Sequence, residues 1–265
     1  MRRVVAALDA GAAARPVMET ALGIGQLMGA EVEAVHVGDD RVETLEALAA
    51  TNGVPLRLIR GPVERAVLAA VAAPHVVAAV VGARSTPGGR RPTGRTALRV
   101  VEQTNKPTVV VPPDTVGISP RPFRRLLLPL EGSEESSRAV LEGLWPLVVD
   151  EVELVVLHVF TSATVPRVLD RPGRDLDLLG GEFLARYCPP ATRIEWRIGP
   201  VSTRVGEVCG EQGADLIVLS WSQDSSAGHA AVVRDVLGGS TVPVLLLPVG
   251  VADVAAPDPG GEPRR

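Results

Sequence analysis

Short apolar runs alternate with amphipathic stretches along nearly the whole chain. In the first part of the sequence these runs cover residues 4–8, 31–37, 55–59, 76–81 and 108–111. They are rich in Val, Ala and Leu, which suits strands buried on both faces of a parallel sheet. The stretches between them, at about 12–28, 41–51, 62–73 and 95–104, carry apolar residues at helical spacing. This alternation predicts successive right-handed βαβ crossovers and an open, parallel α/β sheet.

The same order of landmarks then occurs a second time. The matching positions are Asp9 and Glu131, His36 and His158, Gly61-Pro62 and Gly199-Pro200, and Gly82 and Ser220. The first two pairs are 122 positions apart and the last two are 138 apart. The sequence therefore predicts an internal duplication, with about 16 extra residues in the second copy, around 161–180. We expect this insertion to form a longer loop over the edge of the sheet.

Composition shifts divide the chain into four parts. We predict a first domain over residues 1–112, a Pro-rich linker over 113–122, a second domain over 123–250 and a disordered tail over 251–265. The fifth strands, 109–111 and 244–247, are strongly apolar, and an unpaired apolar edge invites aggregation. We therefore expect the two domains to pair through these strands across a pseudo-twofold axis, as a pseudo-dimer.

Composition and charge exclude several partners. The net charge is −4 and aromatic residues make up 3 %, which favours neither a nucleic acid nor a membrane surface as partner. No apolar run approaches the ~18–20 residues that cross a bilayer, so we expect a cytoplasmic protein. Cys188 and Cys209 lie far apart and show no zinc spacing, and we expect inert thiols.

The stretch over residues 78–100, AAVVGARSTPGGRRPTGRTALRV, is the strongest candidate for a binding site. A predicted buried strand opens through glycines onto the start of a helix, where backbone N–H groups and the helix dipole favour an anion. Five arginines accompany it: Arg84, Arg90, Arg91, Arg95 and Arg99. Residues 89–96, GRRPTGRT, come close to a P-loop, but the lysine is missing. Asp9, after the first strand, suits a hydroxyl or amino group of a ligand, or a helix N-cap.

Two copies of this pattern resemble a tandem universal stress protein. The features that carry the resemblance are the strand ending in Asp, the strand ending in His-Val, the Gly-Pro turn and the fourth strand ending in a glycine-rich loop. The resemblance covers about residues 1–250. It implies a five-stranded parallel sheet of the adenine nucleotide alpha hydrolase-like fold in each copy. In many members it also implies an ATP site written G-x2-G-x9-G-[ST], with adenosine held by the first-strand Asp and the second-strand Val.

The first copy follows this site pattern with two departures. Ser85 stands where the second glycine is expected, and the last glycine falls at Gly94 or is replaced by Arg95, depending on one deletion. Arginine side chains can compensate, because guanidinium groups suit phosphate oxygens. The candidate nucleotide-binding residues are Asp9, Val37, Gly82, Arg84, Ser85, Gly94, Arg95 and Thr96.

The second copy departs further from the pattern. Ser220 and Gln223 stand in the two glycine places, Glu131 replaces the aspartate, and Trp221 stands where a nucleotide would enter. We expect this copy to bind no ATP, and Trp221 to cap or fill the cleft. His36 and His158 occupy equivalent places without a nucleophile motif, so we expect a structural role at the strand ends.

These patterns lead to one function and one alternative. We expect a stress-response module that binds adenine nucleotide (ATP) in the first domain only, with room for a magnesium ion whose ligands the sequence does not assign. The alternative is an interaction or structural protein of the same fold, with both sites decayed. We expect no enzyme, because no residue pair has the features of a base and a nucleophile, although weak ATP hydrolysis stays open. A homodimer of such chains also stays open.

Overall fold

Ten strands form one sheet in a computed structural model of the chain. It describes residues 1–39, 41–83, 93–112, 115, 122–145, 148, 152–161, 174–191, 193–222 and 229–249. The strands are β1 Arg3–Leu8, β2 Glu31–Val37, β3 Leu56–Ile59, β4 Val76–Gly82, β5 Thr108–Val111, β6 Arg125–Pro129, β7 Glu153–Phe160, β8 Arg193–Ile198, β9 Leu216–Trp221 and β10 Val244–Pro248. The α-helices are α1 Ala14–Leu27, α2 Val42–Thr51, α3 Val63–Val71, α4 Arg95–Gln103, α5 Glu134–Arg138, α6 Arg174–Tyr187, α7 Val201–Gln212 and α8 His229–Gly239.

The strand order shows that the two halves repeat one topology. It reads β3-β2-β1-β4-β5-β10-β9-β6-β7-β8, so the second half is the first half rotated end for end. Strands within each half pair in parallel, whereas β5 and β10 pair antiparallel, with Val110 opposite Val244 and Val109 opposite Leu245. The predicted α/β fold of two five-stranded parallel copies is confirmed, and so is their pairing through the fifth strands. We call this β5–β10 pairing the seam.

Helices cover both faces of the sheet, and the core continues across the seam. Successive side chains of a strand point to opposite faces, so a strand covered on both sides is apolar throughout. On one face the first two helices of each half pack on a cluster that includes Val109 and Leu245. On the other face the last two helices pack on a cluster that includes Val110 and Val244. The two halves therefore share both layers of their core.

The predicted domain boundaries fall between β5 and β6. The predicted linker, 113–122, lies outside the described residues except for 115 and 122, and so does the predicted tail, 251–265. The boundaries at 112/113, 122/123 and 250/251 stay predictions. None of the helices that the structure describes is long and apolar enough to cross a membrane.

The insertion in the second half is helical where the structure describes it. The prediction of a loop over 161–180 is wrong for its last part, because α6 begins at Arg174. Gly180-Gly181 argued for a loop, but Leu176, Leu179 and Phe183 form a stripe at helical spacing. A Cβ on Gly180 would lie 3.0 Å from the Ile194 side chain, so this glycine allows α6 to pack closely on β8. Residues 162–173 lie outside the described part.

The first helix of the second half changes its geometry after five residues. Ser133 is its N-cap, and its Oγ accepts a hydrogen bond from the Ser136 N–H at 3.2 Å. After α5 the chain continues as a π-helical segment, Ala139–Leu144. The corresponding α1 of the first half is a single α-helix of 14 residues. The two halves therefore differ in the geometry of their first helix.

Both cysteines are free and buried in the core. Burial raises the pKa of the Cys188 thiol, and burial together with the nearby Asp215 carboxylate raises the pKa of Cys209 to about 11. Because only the thiolate attacks a disulfide reagent, we expect neither cysteine to react with Ellman's reagent in the folded protein at mildly alkaline pH. Both should react after denaturation. Rapid labelling of the native protein would contradict the buried placement.

Candidate functional site

The carboxyl ends of β2, β1 and β4 meet at one edge of the first half. The strand order reverses between β1 and β4, and ligands of open α/β sheets bind outside the strand ends at such a point. Asp9 directly follows β1, while Val37 and Gly82 end β2 and β4. The structure thus brings these three predicted residues to one edge, which we call the first-half site. Residues 84–92 lie outside the described part, and with them Arg84, Ser85, Arg90 and Arg91.

Asp9 holds a turn rather than capping a helix. Its Oδ1 accepts a hydrogen bond from the Gly11 N–H at 3.0 Å. Helix α1 begins only at Ala14, and its N-cap residue, Ala13, makes no side-chain cap. The alternative that Asp9 is an N-cap is therefore wrong, because the residue lies five positions before the helix. The Asp9–Gly11 turn fixes the carboxylate at the end of β1.

The start of α4 lies against the end of β4. The Gly94 N–H donates to the Ala83 carbonyl at 2.6 Å, which places the first turn of the helix beside the strand end. Gly94 is the N-cap residue, and it has no side chain that could cap the first N–H groups of α4. Arg95 and Thr96 follow in the exposed first turn. A helix end of this kind favours an anion.

Arg95 pairs with a carboxylate in this structure. Its Nε lies 3.5 Å from Oε1 of Glu64 on α3, and 87 % of the Arg95 side chain is exposed. Exposed ion pairs are worth about 0–1 kcal/mol, so a phosphate can compete for this guanidinium at little cost.

Thr93 adds a residue that sequence analysis missed. It is 9 % exposed, and its Oγ1 is buried with no hydrogen-bond partner in the part of the chain that the structure describes. A buried hydroxyl without a partner costs about 1–3 kcal/mol. Thr93 immediately precedes the α4 N-cap, so the orphaned hydroxyl lies at the side of the first-half site next to α4. Threonine is common near helix starts, so the sequence alone did not single out Thr93.

The equivalent edge of the second half is filled by hydroxyl groups bound to a carboxylate. Glu131 Oε1 accepts hydrogen bonds from the Ser133 and Ser136 hydroxyls at 2.8 Å and 3.1 Å. The Ser220 hydroxyl, at the end of β9, donates to Ser136 Oγ at 3.2 Å. Ser136 and Ser220 are buried. We call this group the serine–glutamate network.

The first half has no counterpart of these hydroxyls. By the spacing of the repeat, Ser133, Ser136 and Ser220 correspond to Gly11, Ala14 and Gly82. The second half thus places three hydroxyl groups where the first half has hydrogen or a methyl group. Two of these hydroxyls, those of Ser133 and Ser136, donate hydrogen bonds to Glu131, whose counterpart in the first half is Asp9.

Trp221 is part of the core and does not cover the cleft. It is 5 % exposed and belongs to the same cluster as Ala230 and Val233 on the α7–α8 face. Consecutive residues of β9 face opposite sides, so Trp221 points away from the face of Ser220. Its counterpart is Ala83, and the ring fills space beneath the strand end. The expectation that it caps the cleft is wrong, because strand alternation directs the ring into the core.

Both strand-end histidines bind a neighbouring strand, as expected of structural residues. His36 Nδ1 lies 2.9 Å from the Leu8 carbonyl, and His158 Nδ1 lies 2.8 Å from the Leu130 carbonyl. A carbonyl only accepts, so in each ring Nδ1 carries the proton that is donated. These bonds tie the end of β2 to β1 and the end of β7 to β6.

Aromatic rings surround His158. Its ring centroid lies 4.5 Å from that of Phe160, 5.1 Å from Phe183 and 5.6 Å from Trp196. Tyr187 lies beside Phe183, so four of the seven Phe, Tyr and Trp residues of the chain share this cluster. By repeat spacing, Gly38 and Leu58 stand in the first half where Phe160 and Trp196 stand here.

Because His158 lies in this aromatic cluster, we expect the free energy of unfolding to depend on pH. Burial lowers the pKa of His158 below 6.5, outweighing the opposing effects of the Leu130 carbonyl and Glu131. The unfolded chain then binds more protons than the folded one as the pH falls from about 6.5 towards this lowered value, so the free energy of unfolding should decrease. Urea unfolding across this range measures it. We expect His158→Phe to weaken the dependence, and an unchanged dependence would contradict this origin.

Comparisons with known proteins agree with this architecture. Residues 122–248 match the model of the universal stress protein family. A search of curated protein sequences gave no match. A universal stress protein from Archaeoglobus fulgidus DSM 4304 is 16 % identical over 93 % of this chain and 98 % of its own, with a TM-score of 0.63. A functionally unknown protein from Pseudomonas aeruginosa PAO1 is 12 % identical over 94 % of this chain and 93 % of its own, with a TM-score of 0.68.

At these identities the two solved structures show the fold alone, and they show it over both halves of the chain. The family match lies in the second half, where the serine–glutamate network occupies the strand edge. The second half of the chain therefore matches the universal stress protein family, and the first half repeats the same strand order.

Proposed function

We propose that the first half of this chain binds an adenine nucleotide, ATP, and that the second half binds none. The observation that carries the proposal is the contrast between two equivalent strand edges. The first-half site presents Asp9 among glycine and alanine positions, next to an uncapped helix start. In the second half, three serine hydroxyls bind the equivalent carboxylate or fill the space beside it. A ligand there would have to displace these bonds.

The residues of the first-half site fit a nucleotide in two parts. The Asp9 carboxylate accepts hydrogen bonds from ribose hydroxyls, and the Val37 backbone meets the edge of the base. At the other end, Gly82 and Gly94 let phosphate oxygens approach the main chain, where the N–H groups of α4 point outwards. The Thr93 and Thr96 hydroxyls add donors, and the buried Thr93 hydroxyl gains the partner that it lacks in the described residues.

Arginines supply the remaining charge. We propose that Arg95 exchanges Glu64 for a phosphate oxygen when nucleotide binds, and that Arg84 and Ser85, which follow β4 in the sequence, also bind phosphate. Among the described residues, no three His, Cys, Asp or Glu side chains are grouped to hold a metal ion. A magnesium ion would therefore be held mainly by the phosphates and water, as magnesium in nucleotide sites often is.

We propose binding rather than catalysis as the function. Among the described side chains at the first-half site, no nucleophile lies within hydrogen-bond reach of a base. The alternative, an interaction protein with both sites decayed, is favoured by one observation: Arg95 stands at the end of the glycine motif and binds Glu64.

The test is the nucleotide content of the purified protein. Mass spectrometry of small molecules released by denaturation, followed by calorimetric titration of stripped protein with ATP, should give about one nucleotide per chain. Two sites per chain would refute the asymmetry between the halves. The absence of bound nucleotide, together with no heat at millimolar ATP, would refute the proposal and leave the interaction protein.

A further inference from the structure

His36 carries a buried nitrogen atom without a partner beside the first-half site. The residue is 6 % exposed, and Nδ1 donates to the Leu8 carbonyl at 2.9 Å. In the neutral ring, Nε2 is then the nitrogen with the lone pair and can accept a hydrogen bond. It is buried and has no hydrogen-bond partner among the residues that the structure describes. Burying an acceptor without a partner costs free energy, because folding removes its hydrogen bonds to water and provides none in their place.

The free side of Nε2 faces the end of β2. A Cβ built on Gly38 would lie 3.6 Å from Nε2, and no other atom outside the neighbouring residues lies within 4 Å of that Cβ position. Gly38 has φ +131°, which side chains rarely adopt, so this space stays without a side chain. Nε2 therefore lies beside the backbone of Gly38, just beyond Val37, and Gly38 brings no side chain against it. This is the end of the site where the base is proposed to lie.

The second half shows what a purely structural histidine looks like at this place. His158 makes the same bond through Nδ1, but Phe160 stands at the position of Gly38 and its ring packs edge-on against the imidazole. Trp196 stands at the position of Leu58 and packs on another side. The imidazole of His158 thus packs against aromatic rings and stays half-buried. The first half keeps the same histidine with glycine and leucine at those two positions, and His36 is the more buried of the two histidines.

We propose that His36 selects the base of the bound nucleotide, with Nε2 accepting a hydrogen bond from the 6-amino group of adenine. This inference rests on the proposed function, since it assigns a specificity-determining residue to the same site. A base with a carbonyl oxygen at this position, such as hypoxanthine, would place two acceptors face to face. A base with only hydrogen there would leave Nε2 unpaired. Both should bind more weakly than adenine.

The first experiment uses the unaltered protein and three nucleotides. Calorimetric titration with ATP, inosine triphosphate and purine riboside triphosphate compares an amino group, a carbonyl oxygen and hydrogen at the same carbon. We expect ATP to bind at least about tenfold more tightly than either of the others, the effect of one hydrogen bond to a buried acceptor. Equal affinities for ATP and the inosine nucleotide would overturn the proposal.

The second experiment removes the nitrogen and keeps the ring. His36→Phe should bind ATP and the other two nucleotides within about twofold of each other, because the group that distinguishes them is gone. His158→Phe is the matched control: it loses the same Nδ1 bond to a strand carbonyl and should keep the full preference for ATP. A His36→Phe protein that folds and keeps the wild-type preference would overturn the proposal, since it would show a structural role only.

A third measurement needs no variant. In protein labelled with 15N-histidine, the Nε2 resonance of His36 should shift on addition of ATP by more than on addition of the inosine nucleotide, while His158 should respond to neither. Failure of the proposed function has a different signature, because then no nucleotide binds at all. Nucleotide binding with an unmoved His36 resonance would leave the proposed function intact and overturn this inference alone.

Discussion

Gly94→Val is expected to abolish ATP binding by the first half without unfolding the protein. Gly94 is the N-cap of α4, with φ −64° and ψ 151°, angles that valine adopts without strain. Its branched side chain would stand beside the helix N–H groups and keep phosphate oxygens from the main chain. We expect the dissociation constant to rise by at least ~100-fold, since several charge-assisted hydrogen bonds are lost together. Calorimetric titration of stripped protein measures it.

A second valine substitution controls for the general effect of the change. Gly206 lies in α7 of the second half, is exposed, and has nothing within 4 Å of an added Cβ. Gly206→Val should therefore bind ATP like the unaltered protein. Valine is a poorer N-cap than glycine, so Gly94→Val should lose about 1 kcal/mol of stability and stay folded. If it folds and binds ATP as tightly as before, the phosphates do not lie at α4.

Leu245→Ala is expected to lower the free energy of unfolding by about 2–5 kcal/mol, the range for truncating a fully buried leucine. Leu245 has no exposed surface and lies in β10 opposite Val109 of β5, at the seam. The cavity would open where two halves of the sheet meet and where few side chains can move in to fill it. Urea unfolding followed by circular dichroism measures the loss.

The comparison variant for this experiment lies at the outer edge of the sheet. Leu58 of β3 is 47 % exposed, so Leu58→Ala should cost far less than Leu245→Ala. All three tryptophans lie in the second half, at 145, 196 and 221, whereas circular dichroism reports both halves. If the seam couples the halves, tryptophan fluorescence and circular dichroism should give the same transition. Separate transitions, or a negligible cost for Leu245→Ala, would contradict a tightly packed seam.

The strands could be predicted because a strand that is buried on both faces is a continuous run of apolar residues. Residues 31–37 and 108–111 begin and end in the structure where the apolar runs do. The repeat of these runs also predicted the seam, because two strongly apolar fifth strands need partners. Helix α6 was not predicted, because Gly180-Gly181 normally marks a loop. Its packing against Ile194 becomes visible only when β8 is in place.

The candidate site could be predicted less completely. The ends of parallel strands share an edge whatever their order, so Asp9, Val37 and Gly82 could be grouped from the sequence. The turn held by Asp9 depends on where α1 begins, which composition does not fix within a few residues. The orphaned atoms of His36 and Thr93 leave no signal in a sequence, because being unpaired depends on every neighbour in space.

The sequence pattern that identifies the fold and the residues that form the candidate site lie in different halves of this chain. The family model matches residues 122–248, the half whose strand edge is filled by the serine–glutamate network. A family model weighs the whole pattern of buried positions, whereas a binding site depends on a few residues at strand ends. Ser220 and Glu131 can therefore replace site residues without disturbing the pattern in β6 and β9.

Because the seam joins two halves of one chain, it affects which substitutions each strand-edge site can accept. When two separate, identical chains pair, every substitution appears on both sides of the twofold axis, and a change that harms one site harms the other. Here one polypeptide supplies both sides of the seam, so each half presents the other with a partner at an effective concentration of millimolar order. The two halves can therefore pair without having identical sequences. One half can then lose its pocket to internal hydrogen bonds and still complete the sheet on which the other half depends.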